Sequence, residues 1–184
     1  MRITTTHATH VGNMIAIDLN KSGIVTLTRG IEPVAQAASD IILEDLKKEH
    51  ALEEKVRDIV YDNEDEIDFY MADEKQLFWM IKKKLAPDFD MILGFEERYS
   101  KVAHLILDEL YEEDLIHYDV SENRVKNVIY DAIDNYIKAY SEIENSVMEK
   151  IKGYKRELRP GSEEYDIVFE KLYIEELQRR GMTS

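Results

Sequence analysis

A long periodic stripe of apolar and tyrosine side chains constrains the fold of this chain more than any other feature of its sequence. Between Ser121 and Pro160 the stripe repeats steps of 4, 3 and 4, a period of 11 residues, at Val125, Ile129, Ala132, Tyr136, Tyr140, Ile143, Val147, Ile151, Tyr154 and Leu158. Such a period corresponds to about 3.67 residues per turn and indicates one face of a nearly straight α-helix. Pro160 and Gly161 are typical helix terminators. The stripe therefore predicts a helix over 121–158, on the order of 55 Å long.

The same pattern occurs earlier in the chain, displaced by 91 residues. Without a gap, this single offset relates three separate periodic segments, and it pairs Val11 with Val102, Ile15 with Ile106, Val34 with Val125, Ala38 with Ile129, Val56 with Val147 and Phe78 with Phe169. One offset that holds over several segments is the signature of an internal repeat. We predict a tandem duplication, with a divergent first copy at 1–90 and a second copy at 91–184.

Each copy is predicted to contain a short helix, a very long helix and a C-terminal helix. The expected helices are about 5–20, 32–68 and 73–86 in the first copy and 96–113, 121–158 and 162–180 in the second. Short runs of β-branched and aromatic residues at 24–28 and 115–119 are compatible with one strand each, paired across the copies. We expect an all-α fold in which the two long helices pack together, with a tiny two-stranded ribbon.

Composition limits the class of protein and its partners. The formal net charge is −15 and there is no cysteine. The missing thiols exclude disulfides and cysteine-based metal sites. A phosphate backbone would be repelled over most of such a surface, so we do not expect nucleic acid or an anionic membrane as a general partner. The N-terminus lacks a secretory pattern, and no stretch approaches the ~20 apolar residues of a membrane span. We expect a soluble cytoplasmic protein.

Catalytic motifs are missing from the sequence. It contains no Gly-x-Ser-x-Gly, no glycine-rich phosphate loop and no Glu-x-x-His of the kind that helical bundles use for paired metals. His104 and Asp108, four residues apart on one predicted helix, are the best candidate metal ligands, although solvated or capped side chains explain them better. We expect a non-enzymatic protein without a cofactor, and keep a metal-dependent helical enzyme as the alternative.

The tyrosines of the second copy allow two interpretations. Tyr136, Tyr140 and Tyr154 lie on the apolar stripe, whereas the offset places Asp45, Glu49 and Asn63 at the same positions of the first copy. The rings either complete a buried helix seam or form an exposed surface that docks a partner, because tyrosine is frequent at binding hot spots. The same two interpretations, a buried ring or an exposed docking residue, apply to Trp79, which the offset aligns with Glu170.

A basic cluster ends the second long helix. Lys152, Lys155, Arg156 and Arg159 lie there, and the offset sets Lys155, Arg156 and Arg159 opposite Glu64, Asp65 and Asp68. The charge-inverted helix ends suggest a register contact between the copies, or between subunits. A basic helix end that complements its own dipole is the competing explanation. Anion or RNA binding over 152–159 is a weaker third possibility.

The last third of the second copy and its opening helix carry a recognisable pattern. Its residues are Pro160, Gly161, Ser162, Glu164, Tyr165, Asp166, Ile167, Lys171, Tyr173, Glu175, Glu176, Arg180 and Gly181, and in the opening helix Val102, His104, Leu105, Ile106 and Leu110. In these residues the chain resembles a bacterial family of unknown function, the domain of unknown function 507. The resemblance covers about half of the chain, and the first copy departs from it at 70–72. The resemblance implies a bacterial origin and an α-helical fold, and it implies no activity.

These observations favour a scaffold or adaptor that binds another protein, or a second copy of itself. The surface expected to bind combines the tyrosine face of the second copy with its basic helix end.

Overall fold

The computed structural model describes residues 5–63, 73–154, 158–160 and 162–180. This part of the chain contains six α-helices: α1 (Ala8–Lys21), α2 (Ile31–Asp62), α3 (Glu74–Leu85), α4 (Phe95–Glu112), α5 (Glu122–Lys152) and α6 (Glu163–Arg179). Short 3₁₀ helices cover Thr5–His7 and Ala86–Phe89. Two strands of two residues each, β1 (Thr26–Leu27) and β2 (Ile116–His117), complete the described structure. The predicted all-α fold is confirmed.

The predicted ribbon is also confirmed. β1 and β2 pair antiparallel, with Thr26 opposite His117 and Leu27 opposite Ile116. The Thr28 amide donates a further hydrogen bond of 3.0 Å to the Leu115 carbonyl. So short a ribbon is not stable by itself, and it depends on the helices at its ends.

α1 packs unusually close to α2 at Gly12. A Cβ atom at Gly12 would lie 2.1 Å from Ser39 Oγ and 2.4 Å from the Ala35 carbonyl oxygen, far inside van der Waals contact. The apolar stripes of the two helices are buried around this point, at Val11, Ile15 and Leu19 of α1 and at Val34, Ala38 and Ile42 of α2. The missing side chain at Gly12 therefore sets the distance between the helices.

The second long helix is shorter than predicted. α5 ends at Lys152, and a turn follows in which the Gly153 amide donates to the Glu149 and Lys150 carbonyls. Leu158 continues the periodic pattern but lies outside the helix, where it packs against the α5 cluster of Ile143, Val147 and Ile151. The predicted helix was too long because the pattern indicates which residues pack on the core, and a residue outside a helix can do so too. α2 ends at Asp62, and its predicted extension to 68 lies outside the described residues.

The chain divides into two compact units. The N-terminal unit covers Ile3–Ile133, and in it α2 packs against α1, α3 and α4. The C-terminal unit is built mainly of Asp134–Ser184, and the end of α5 packs there against Val168, Phe169 and Leu172 of α6. The predicted copies 1–90 and 91–184, and the packing of the two long helices on each other, stay predictions.

None of the helices in the described ranges of the chain has the length and hydropathy that crossing a bilayer requires.

Candidate functional site

Two of the three candidate binding tyrosines lie in the core. Tyr136 and Tyr140 on α5 are 2% and 4% exposed, and their ring centroids are 4.4 Å apart. Burial, followed by a hydrogen bond with Tyr140, raises the pKa of Tyr136 above its usual range. On α6, burial and then the charge of Glu144 raise the pKa of Tyr173 to about 12. In this fold the rings of Tyr136 and Tyr140 form a buried seam.

The third tyrosine lies in a surface groove of the C-terminal unit. Tyr154 is 46% exposed in the turn after α5. The groove has a volume of about 400 Å³ and is lined by Met148, Ile151, Lys152, Tyr154, Leu158, Pro160 and Tyr165. Six of these seven side chains are apolar or aromatic and carry no charge at neutral pH, so the groove favours a large apolar group.

Local sequence explains why the groove forms. Gly153 and Pro160, both unfavourable inside a helix, lie between α5 and α6, and α6 packs against the end of α5. The Ser162 hydroxyl then accepts a 3.2 Å hydrogen bond from the Tyr165 amide and caps the start of α6. Tyr165 thereby lies in the first turn of α6, at the wall of the groove.

A buried carboxylate with three partly exposed cationic partners joins α6 to α5. The Glu176 side chain on α6 is fully buried and accepts hydrogen bonds from Lys150 Nζ at 2.8 Å, Arg179 Nε at 3.1 Å and Arg180 Nε at 3.0 Å. These donors, Arg179 first, lower the pKa of Glu176. Sequence reasoning did not single out this cluster, and its only signal was the closely spaced Glu176, Arg179 and Arg180 at the end of α6.

The basic cluster is only partly described by the structure. Lys152 and Arg159 are exposed, and Lys152 Nζ lies 2.6 Å from Glu149 Oε1. That hydrogen bond is the main cause that raises the pKa of Lys152. Lys155 and Arg156 lie outside the described residues, as do their predicted acidic counterparts at 64–68. Lys152 therefore lines the groove, and Arg159 lies between two of its lining residues, Leu158 and Pro160, in the chain.

The candidate metal ligands do not converge with other ligands. His104 and Asp108 are both exposed on α4. Among the residues that the structure describes, no three histidine, aspartate or glutamate side chains come together as a metal would require. Within that part of the chain, the pair is a feature of a solvated helix face.

A second buried ion cluster lies in the N-terminal unit, and sequence reasoning missed it. Lys82 Nζ on α3 is 2.6 Å from Glu53 and 3.4 Å from Glu49 on α2. Arg98 on α4 bonds Glu49 at 2.8 Å and Asp45 at 2.6 Å. Lys82, Glu49, Glu53 and Arg98 are all buried. The position of Lys82, four residues after Phe78 on the inward face of α3, was the available signal.

A smaller surface pocket of about 180 Å³ lies between α2 and α4 in the same unit. Most of its charged side chains are paired with one another: Asp90 bonds Lys101 at 2.7 Å and Lys48 at 3.4 Å. These two lysines, Lys101 first, lower the pKa of Asp90. The pocket is therefore an arrangement of surface ion pairs.

The fold and the groove define an all-α protein with an apolar surface groove and, in its described part, no assembled metal centre. A family model described as a protein of unknown function (DUF507) matches residues 1–182, and the chain belongs to this family. The match spans both halves of the chain, whereas the sequence resemblance was strongest in the second half. No curated protein matches the chain.

Proposed function

We propose that this is a non-catalytic cytoplasmic protein that binds another protein through the groove after α5. The observation that carries the proposal is the groove itself, in which Met148 and Tyr154 remain 42% and 46% exposed. Exposed tyrosine beside a concave apolar surface is the typical composition of a binding hot spot. The tyrosine surface expected from the sequence is reduced in this proposal to Tyr154.

The partner is expected to insert a large apolar side chain that is followed or preceded by a carboxylate. The volume of the groove suits an aromatic or long aliphatic side chain. Lys152 lines the groove, and Arg159 lies between two lining residues, Leu158 and Pro160, in the chain, so the two cations favour a carboxylate on the partner. The present pairing of Lys152 with Glu149 is between exposed side chains, so it is weak and exchanges at little cost.

Site-specific cross-linking in the source cell tests the proposal. A photoreactive phenylalanine analogue at Met148 should form one discrete adduct, and the adduct should diminish when Lys152→Glu is added. The cross-linked peptide should carry the apolar and acidic residues described above. The same analogue at Leu105, which is 40% exposed on α4, is the matched control. Equal labelling from both positions, or no adduct from Met148, overturns the proposal.

We also propose that the chain is an internal duplication with an offset of 91 residues. The bounds of the long helices support it, because α2 begins at Ile31 and α5 begins at Glu122. The ribbon register supports it as well: Thr26 pairs with His117, its own counterpart at that offset. When two equivalent strands pair antiparallel about a two-fold axis, the residue at the axis lies opposite its own counterpart in the other strand. Gly23 and Asp114, also 91 apart, both have positive φ, at 69° and 52°.

Under this proposal, the buried charged cluster and the tyrosine seam occupy equivalent positions. The offset relates Asp45 to Tyr136, Glu49 to Tyr140 and Lys82 to Tyr173. One copy would fill the space with ion pairs and the other with aromatic rings. In an experimental structure, residues 8–62 and 99–153 should superpose helix for helix at this offset. A better superposition at another offset would contradict the duplication.

A further inference from the structure

The outer face of α3 combines exposed apolar and basic side chains. Trp79 is the only tryptophan of the chain, and Trp79 and Met80 are 59% and 65% exposed. Lys75, Lys83 and Lys84 are exposed on the same helix. The lysines of the last turn complement the helix dipole, but the dipole does not explain a tryptophan and a methionine left in solvent.

Trp79 is held in place before anything binds. Lys82 Nζ lies 5.2 Å from the centre of the Trp79 ring, and Lys82 is itself buried and bonded to Glu53. Asp73 caps the helix by accepting hydrogen bonds from the amides of Lys75 and Gln76. An aromatic side chain fixed in this way loses little conformational entropy on binding, which favours association.

The outer face of α6 has the opposite charge. Ile167 is 61% exposed and Ile174 is 44% exposed, seven residues apart on one side of the helix. Exposed carboxylates surround them, at Glu164, Asp166, Glu170 and Glu175, with one lysine at Lys171. This face offers two apolar side chains in an acidic setting, and the α3 face offers two apolar side chains in a basic one.

We propose that the α3 face of one copy binds the α6 face of a second copy, so that the protein associates with itself. Apolar contact of Trp79 and Met80 with Ile167 and Ile174 supplies most of the affinity, and the charges fix partner and register. The proposal uses other residues than the groove after α5.

Sedimentation velocity of the full chain over a range of concentrations tests this directly. The wild-type protein should associate as its concentration rises, and the association should weaken in high salt. Since Trp79 is the only tryptophan, its fluorescence should shift to shorter wavelength as the ring leaves water. A wild-type protein that stays monomeric throughout overturns the proposal.

Charge reversal separates this contact from other modes of association. Lys83→Glu with Lys84→Glu should abolish association, and so should Glu170→Lys with Glu175→Lys. An equimolar mixture of the two variants should associate again, because each reversed face then meets its complement. Lys47→Glu with Lys55→Glu, on exposed positions of α2, is the matched control and should associate like wild type. Folding of every variant is checked by circular dichroism.

Association that survives both reversals, or a mixture of folded variants that stays monomeric, contradicts the proposal. Substitution of Met148 or Lys152 in the groove should leave self-association unchanged. If the cross-linking experiment fails, the self-association proposal is therefore unaffected. If self-association is not observed, the proposed groove is likewise unaffected.

Discussion

Lys82 is a lysine with a buried ammonium group, although this group is normally exposed to water. Its ammonium lies in the interior with Glu49 and Glu53 as partners. Substituting Lys82→Met keeps the length of the side chain but leaves both carboxylates without that cation. We expect a loss of about 3–5 kcal/mol in the free energy of unfolding, the usual cost of breaking a buried ion pair on one side. Urea denaturation measures it.

Lys84→Met is the matched control, since Lys84 is exposed two residues further along α3. Its effect should stay within about 0.5 kcal/mol, as for most surface substitutions. Equal stabilities of the Lys82 and Lys84 variants would contradict the burial of the Lys82 cluster. Replacing Glu49, Glu53 and Lys82 together by apolar residues should recover part of the loss, because no uncompensated charge then remains.

Glu176 makes the stability of the protein depend on acid. Its pKa in the folded state is lowered below the ordinary value of 4.5, chiefly by Arg179. The stabilisation is therefore present above pH 4.5 and lost as the pH falls toward the folded-state pKa. Glu176→Gln should melt at a lower temperature than wild type at neutral pH, by on the order of 5 °C. The difference should shrink below pH 4.5.

Glu175→Gln provides the comparison for Glu176, because the neighbouring Glu175 is exposed. Thermal melts of both variants between neutral and acid pH check the prediction. A constant gap between Glu176→Gln and wild type over the whole pH range would contradict the assigned pKa direction.

At the scale of elements, the approach of α1 to α2 depends on Gly12. Gly12→Ala places a methyl group 2.1 Å from Ser39 Oγ and 2.4 Å from the Ala35 carbonyl, so the helices must separate. We expect a loss of about 1–3 kcal/mol, typical of overpacking. Adding Ser39→Ala should recover only part of it, because the backbone carbonyl of Ala35 remains. Chemical denaturation of both variants measures the loss.

Gly94→Ala is the control for a glycine that tolerates a side chain. Gly94 has a φ of −69°, and a Cβ there would meet Glu97 Oε2 at an ordinary 3.4 Å. It should cost less than about 1 kcal/mol, since the N-cap position favours glycine over alanine only modestly. Similar losses at Gly12 and Gly94 would contradict the close α1–α2 contact.

Periodicity predicted the elements well and their ends less well. The stripe gave α5 and its start to within a residue, because a helix face that packs on a core must be apolar at this spacing. It overran the end of α5, since Leu158 packs on the same cluster from a non-helical segment. No periodic pattern marks Gly12, whose role depends on the neighbouring helix.

The candidate site was harder to predict than the fold. Tyrosine occurs both in cores and on surfaces, so the sequence alone could not decide whether the tyrosines of the stripe are buried. In the structure, Tyr136 and Tyr140 are buried and Tyr154 is exposed. Lys82 and Glu176 were missed because a charged residue on a helix is normally solvated. Only the partners brought from other helices identify them as buried.

At the scale of the whole molecule, the two units carry different surfaces. The groove with Tyr154 belongs to the C-terminal unit, and the face with Trp79 belongs to the N-terminal unit. The ion pairs of buried Glu176 stabilise the C-terminal unit, and those of buried Lys82 stabilise the N-terminal unit. The groove and the α3 face, the two surfaces for which binding is proposed, thus belong to different units, as an adaptor would require.

The measurement that tests the central claim most directly is the dissociation constant of the complex with the partner cross-linked at Met148. Tyr154→Ala should weaken binding by about 30-fold, the effect of removing a hot spot worth on the order of 2 kcal/mol. Tyr61→Ala, on a side chain 75% exposed in the N-terminal unit, should bind like wild type. Equal dissociation constants for the wild-type protein and Tyr154→Ala would contradict binding through the groove.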